Sequence, residues 1–385
     1  MVDSELVNAN IVCDSTPHAS PGNGEADQAG SCFSPLKVPL TNDELLAHLR
    51  EKGLRLPAAQ AELAENALSQ YGYYRMRGYW LTLESNGRFS QGVHIGNITN
   101  IMSLDAVLSS LISEMIRPIE LFLRSQLSSQ LGTTHGARAL HESLAFNNQK
   151  DFAKLQSTLE REKRQSQRAG NPLVLHNLAK YGCLPIWAEV EISSFGALSK
   201  IYENLKSRDD RRAIAGAFGV PERYLRGWLR YLTQLRNMAA HHDRLYNRIL
   251  KVRPKLFSEH KGVDNARLFP AFLVLLRLND GLDPAAAAKM RMRLGQAIDE
   301  HHGVNLRPIG FPENWRSLVG LPTPAPRPRG KSSGRPKRNE AEVAEALRLY
   351  NSRELPIAEI VARCHISTST LYKYIHLQEK DTHGE

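Results

Sequence analysis

Between residues 221 and 249 the apolar positions recur at helical spacing. Trp228, Leu232, Leu235, Ala239, His242 and Tyr246 fall on one stripe at about 100° per residue. Asn237, His241, Arg244 and Arg248 fall on the opposite side, with Arg236 between the two. No Gly or Pro interrupts the run from Arg236 to Arg248, so the pattern predicts a helix through the whole segment, the longest sustained one in the chain. Helices are predicted upstream as well. Thr41 followed by Glu44 is a capping-box pattern. "AAQAELAENALSQYGYYRM" reads as a helix ending in an aromatic cluster, Tyr71, Tyr73, Tyr74, Tyr79 and Trp80, packed around a turn at Gly78. Leu108, Leu111, Met115, Ile119 and Phe122 mark a long helix with Ser103 or Asp105 near its cap and a kink at Pro118. Arg117, Glu120 and Arg124 share one face of it, either as a solvated ion-pair row or beside an interface or site. One helix is expected through "IWAEVEISSFGALSKIYENL", and later ones through "LFPAFLVLLRL" and "DPAAAAKMRMRLGQAIDEH". No strand pattern is comparably strong, so the expected fold class is all-α.

Composition then divides the chain. Residues 1–35 are rich in Ser, Gly, Asn and Asp and read as a disordered tail. The helical domain is placed at 36–321. Residues 322–338 form a Pro/Gly/Ser linker that carries Arg327, Arg329, Lys331, Arg335, Lys337 and Arg338 and no acid. Residues 339–377 read as three short helices, followed by a tail at 378–385. Val343, Ala346, Leu347 and Tyr350 give the first apolar face, and Ile357, Ile360 and Val361 the second. Ser367 or Thr368 then caps a third helix whose Leu371 and Ile375 face inward. Ser369, Thr370, Tyr372 and Lys373 are left outside, placed for a major groove in the manner of a helix-turn-helix.

Charge adds a class of partner. The formal net charge is +10, which favours an anionic partner, and nucleic acid is the commonest. The four cysteines are far apart and form no CxxC pair, which argues against a disulfide framework or a zinc site. The N-terminus lacks the basic and apolar regions of a signal peptide, and the apolar runs are too short to span a bilayer. The expectation is a cytoplasmic protein with no membrane partner.

The chemistry concentrates in "RNMAAHHDRLYNR" (236–248). Histidine can take or give a proton near neutral pH. Arginine grips a phosphate bidentately and stabilises charge developing on it. A His–Arg pair without a carboxylate cluster fits cleavage of RNA by its own 2′-OH, with no metal and no cofactor. It fits two-metal nuclease chemistry poorly. On one straight helix Arg236 and His241 stand roughly 140° apart. Two copies of the helix facing each other would remove that difficulty. Spacing alone does not choose between His241 and His242.

The chain from about Leu36 to Leu321 resembles the Abi-like (abortive infection) family. The matching pieces include "PLTNDELLAHLREKGL", "YGYYRMRGYW", "IRPIELFLRSQL", "LPIWAEVEISSFGALSKIYENL", "LRNMAAHHDRLYNR" and "GFPENWRSL". The resemblance implies a HEPN-type helical bundle of the helical-ribonuclease superfamily, whose motif is Arg, four to six residues, then His. It makes Arg236 and His241 the catalytic pair and gives Asn237, His242, Arg244, Asn247 and Arg248 supporting or substrate-binding places. It implies a homodimer with a composite site, an RNA substrate and a toxin role in phage defence. Some similar proteins are restrained by a structured RNA antitoxin. The end of the chain resembles the helix-turn-helix of DNA resolvases, preceded by the basic "SGRPKRN". That implies nucleic-acid binding through Arg335, Lys337, Arg338, Ser369, Thr370, Tyr372 and Lys373. Two departures bear on it: His365 stands where that family usually has Gly, and Thr368 where a basic residue is common. The competing reading is a non-catalytic dimeric regulator that binds DNA, or an RNA-binding protein, using this module.

Overall fold

The capping box at Thr41 forms. Its hydroxyl accepts the Glu44 N–H at 3.3 Å, and the Glu44 carboxylate accepts the Thr41 N–H at 2.7 Å. This opens α1 (Asn42–Glu51) in a computed structural model that describes residues 38–322, 340–352 and 355–364, together with 366, 368, 371, 372 and 375. The chain divides into two units, Met1–Pro322 and Thr323–Glu385.

The first unit is all-α. After α1 come α2 (Ala61–Tyr71), α3 (Tyr73–Trp80), α4 (Ile95–His135), α5 (Gln149–Arg168), α6 (Pro172–Tyr181) and α7 (Ile186–Ile192). They are followed by α8 (Phe195–Asn204), α9 (Arg208–Ala217), α10 (Glu222–Ala240), α11 (Pro270–Leu282), α12 (Pro284–Glu300) and the short α13 (Trp315–Leu318). Strand structure among the described residues is confined to a hairpin, β1 (Glu84–Ser85) and β2 (Arg88–Phe89). Its turn is Asn86-Gly87, both at positive φ, the pair that a two-residue hairpin favours.

The long α4 is the spine. Its 41 residues pack against α3, α7, α8, α9, α10, α11 and α12. Leu108, Leu111, Met115 and Ile119 are buried as their spacing predicts. The helix begins well before the expected cap at Ser103 or Asp105: its N-cap is His94, whose N–H donates to the Asn97 side chain at 2.9 Å. Asp105 is therefore interior to the helix and buried, not at its cap. The helix runs on through Pro118, which has no N–H to offer. One turn earlier, the buried Asn279 of α11 donates to the Met115 carbonyl at 3.0 Å. Phe122 meets Phe218 edge-on at 4.9 Å, and Gly281 lies so close to the Phe218 carbonyl that a Cβ would sit 2.5 Å from it.

Two expected helices are each split in two. The run over 58–76 breaks at Gly72, whose φ of 73° is costly for any residue with a Cβ. Gly78 accordingly lies inside α3. Tyr79 and Trp80 are buried, whereas Tyr71 and Tyr74 are exposed. The run over 186–205 breaks at Ser193-Ser194. The Ser194 hydroxyl caps α8 by accepting the Ala197 N–H, and Glu162 of α5 holds Ser194 by both its N–H and its hydroxyl.

In the second unit, α14 (Glu340–Ser352) and α15 (Ile357–Arg363) share a small core of Ala346, Leu349, Ile360, Cys364, Leu371 and Ile375. Residues 368, 371, 372 and 375 are helical. Tyr372 is 42% exposed. No helix among the described residues is long and apolar enough to cross a membrane.

Candidate active site

Of the predicted stripe, Trp228, Leu232, Leu235 and Ala239 are buried, whereas His242, expected on the core side, is exposed because the helix has ended before it. Trp228 donates to the Lys255 carbonyl at 2.7 Å. Burying a side chain of that size stabilises the helix by about 1.5–3 kcal/mol. The helix does not continue to Arg248. It stops at Ala240, with His241 as its cap.

The stop is a Schellman turn. The His242 N–H bonds the Ala239 carbonyl at 3.2 Å, and the Asp243 N–H reaches back to the Met238 carbonyl at 2.8 Å. His242 takes the left-handed place at φ 53°, where Gly is usual because other residues are strained. No Gly or Asn announced this stop, and tertiary bonds complete it. Arg75 of α3 donates to the His242 carbonyl at 2.6 Å. The Leu245 and Tyr246 N–H groups turn onto the Asp105 carboxylate, at 3.1 and 2.6 Å. The Tyr79 hydroxyl donates to the same carboxylate at 2.8 Å. Burial lifts Asp105 above the ordinary aspartate range, against the pull of these donors and of the Arg244 charge.

The expected second stripe of Asn237, His241, Arg244 and Arg248 is thus replaced by a helix end and a pinned loop, which sorts the motif into two sets. Arg244 turns inward, donates to the Gly78 carbonyl and lies 5.9 Å from the Tyr79 ring. A side chain at Gly78 would collide with it, 2.8 Å from Nε. Burial lowers the Arg244 guanidinium from its usual value. Leu245 and Tyr246 are buried, and the Tyr246 hydroxyl donates to the Asn305 carbonyl at 2.9 Å. Asn247 is left-handed at φ 51° and accepts from Arg267 at 3.4 Å. These four residues hold the loop. Arg236, Asn237, His241, His242 and Arg248 are exposed. The side chains of Arg236, Asn237 and His241 make no hydrogen bond or ion pair among the described residues.

Three clefts border members of this exposed set, though none is lined by His241. Arg236 and Ala240 line one against α4, beside Arg117, Glu120 and Arg124. Asn237 lines a second, with Arg161, Lys200 and Arg230. His242 and Asp243 border a third, of about 700 Å³, floored by α4. Glu120 and Arg124 pair at 2.6 Å, so that part of the charged row is an ion pair, half-buried rather than solvated. Arg124 additionally donates to the Val190 and Glu191 carbonyls.

Sequence reasoning missed Asp105 and Arg75 as supports of the site. An acid amid the apolar positions of the first half of α4 was the available signal for Asp105; nothing local marked Arg75. Of the tail residues expected to bind nucleic acid, Arg335, Lys337, Arg338, Ser369, Thr370 and Lys373 lie outside the described residues, and only Tyr372 is placed.

Residues 66–247 match the family model described as Abi-like protein. Residues 334–378 match that of the helix-turn-helix domain of resolvase. Over these stretches the helical body is similar to Abi-like proteins and the end of the chain to resolvase helix-turn-helix domains, a kind of domain that points to nucleic-acid binding. The first match ends at Asn247, the last residue of the "RLYN" loop. No curated protein matches the chain, and no solved structure does.

The strain at His242 allows a direct test of whether this histidine does more than end the helix. His242→Gly is expected to stabilise the protein by about 0.5–1 kcal/mol by freeing the left-handed position, and to leave RNA cleavage within about twofold of the parent. A large loss of cleavage in His242→Gly with a raised melting temperature would instead assign the proton transfer to His242.

Proposed function

We propose that the protein is a metal-independent endoribonuclease of the HEPN kind, acting as a toxin in abortive infection. The observation that carries this reading is the division of the motif. The residues with phosphate and proton chemistry, Arg236, Asn237 and His241, are exposed and unpaired, while Arg244, Leu245, Tyr246 and Asn247 are used up in holding the loop. Arg236 binds the scissile phosphate and stabilises the charge that builds on it. His241 takes the proton of the attacking 2′-OH or returns one to the leaving 5′-oxygen. Asn237 supplies a neutral donor beside them.

By the helical pitch Arg236 and His241 stand roughly 140° apart around α10. The reading therefore includes a homodimer in which two such helix ends face each other and complete one site from both protomers. The basic arm and helix-turn-helix add nucleic-acid affinity without chemistry, and a structured RNA antitoxin is the restraint this class of toxin would need.

The test is cleavage of single-stranded RNA by the purified protein in EDTA. Activity is expected to survive and to leave a 2′,3′-cyclic phosphate or its hydrolysis product, with a dimer in sedimentation. Products ending in 3′-OH that require a divalent ion would overturn the mechanism. A monomer whose activity is unaffected by dilution would overturn the composite site.

A further inference from the structure

The exposed face of α4 runs beside the motif without being used by it. Two clefts lie along that face and share Ser113. The larger, about 700 Å³, is bounded by Tyr71 and Arg75 on one side and by Ala239, His242 and Asp243 on the other. The smaller, about 350 Å³, holds Arg117 and Arg236. Together they make one groove along α4 from Ser103 to Arg117, about 21 Å at the helical rise, with Ser103, Ser110 and Ser113 exposed on its floor.

The charges in this groove are unequal. Glu120 is bound to Arg124 at 2.6 Å, and Asp105 is filled by its three donor groups. Asp243 is the remaining acid of the lining. Arg117 and Arg236 are both exposed and make no hydrogen bond or ion pair among the described residues, so two guanidinium groups share one small cleft with no protein anion to hold. A dianionic ligand segment would satisfy both. At the other end Tyr71 is 40% exposed and forms part of the wall, an aromatic face open to a flat partner. Between them the Ser110 and Ser113 hydroxyls donate to the Ala106 and Ser109 carbonyls and keep lone pairs that can accept from a sugar hydroxyl.

We propose that this groove binds single-stranded RNA. Arg117 grips the phosphate next to the one held by Arg236, and Tyr71 stacks on a base several nucleotides away. The inference rests on the ribonuclease reading for its occupant but concerns binding alone. A single strand is favoured over a duplex because stacking on Tyr71 needs an unpaired base face. Arg117 and Tyr71 are positioning residues that set where along the strand the scissile phosphate falls.

The test uses full-length protein carrying His241→Ala, so that RNA is not consumed. The readout is fluorescence anisotropy with a labelled eight-nucleotide single-stranded RNA and with the same sequence as a duplex. Arg117→Ala is expected to weaken single-strand binding about tenfold at low salt and to lower the salt slope by about 0.7, the loss of one phosphate contact. Tyr71→Ala is expected to weaken it about tenfold with the salt slope unchanged, and Tyr71→Phe to restore it. In the active protein, both alanine variants are expected to shift the cut position on a longer RNA. If both bind the octamer like the parent, or if duplex binds more tightly than single strand, the groove assignment is overturned. If the parent binds as described but never cleaves, the groove stands and the ribonuclease reading falls. If it cleaves and the variants bind unchanged, the reverse holds.

Discussion

Replacing His241 with alanine is expected to reduce RNA cleavage by about three orders of magnitude, the usual contribution of a positioned acid–base group. Arg236→Ala is expected to cost about 10²–10³-fold, the usual effect of deleting a donor aimed at developing charge. Both side chains are exposed and unpaired, so stability should change by no more than about 0.5 kcal/mol. Both variants should also lose toxicity when expressed. Single-turnover cleavage of labelled RNA, run beside thermal melting, separates lost chemistry from lost fold. Parental rates in both variants would remove the catalytic assignment, and the helical body would then be a binding or dimerising module.

The second large effect is expected away from the chemistry, at Asp105. Its carboxylate accepts the Leu245 and Tyr246 N–H groups and the Tyr79 hydroxyl in a buried setting. Asp105→Ala strands all three donors. Each buried unsatisfied group costs about 1–3 kcal/mol, so a total loss of about 3–5 kcal/mol is expected, in line with breaking other buried charged networks. Asp105→Asn should fall between, because one amide oxygen accepts fewer donors than a carboxylate. Denaturant unfolding measures the loss. Amide exchange over residues 241–247 should show the loop opening before the rest of the body, and cleavage should fall with it. A loss below about 1 kcal/mol would show that the loop is held by something else.

These two residues mark what the sequence could and could not tell. The buried stripe Trp228, Leu232, Leu235 and Ala239 was legible because a 3.6-residue period is a local property of the chain. So were the cap at Thr41 and the all-α class. The end of α10 was not legible. Its stop residue is a histidine in a place normally held by Gly, and it is stabilised by Arg75, Gly78 and Asp105, which lie on α3 and α4. Tyr246 was expected in the core and is there, but it arrives by a turn rather than along the helix. The helix breaks at Gly72 and at Ser193-Ser194 were visible as residue types, yet the apolar period ran across both and outweighed them. In the motif, residue identity pointed to the chemistry of Arg236 and His241. Only the packing of Arg244 and Asn247 against other elements distinguishes the residues that hold the loop from those left free to act.

The bond between Tyr246 and Asp105 spans 141 positions of the chain. At ribosomal rates of about 5–20 residues per second, roughly 7–28 s separate the emergence of α4 from that of the loop it anchors. Until then the carboxylate of Asp105 has no loop amide to receive, and the stretch from Arg236 onward has nothing to fix its direction. A nascent chain, or a message truncated before codon 245, would thus carry most of the helical body and none of the finished site. For a protein whose proposed substrate is RNA, this order of assembly delays a finished site until more than half of the 385-residue chain has been made.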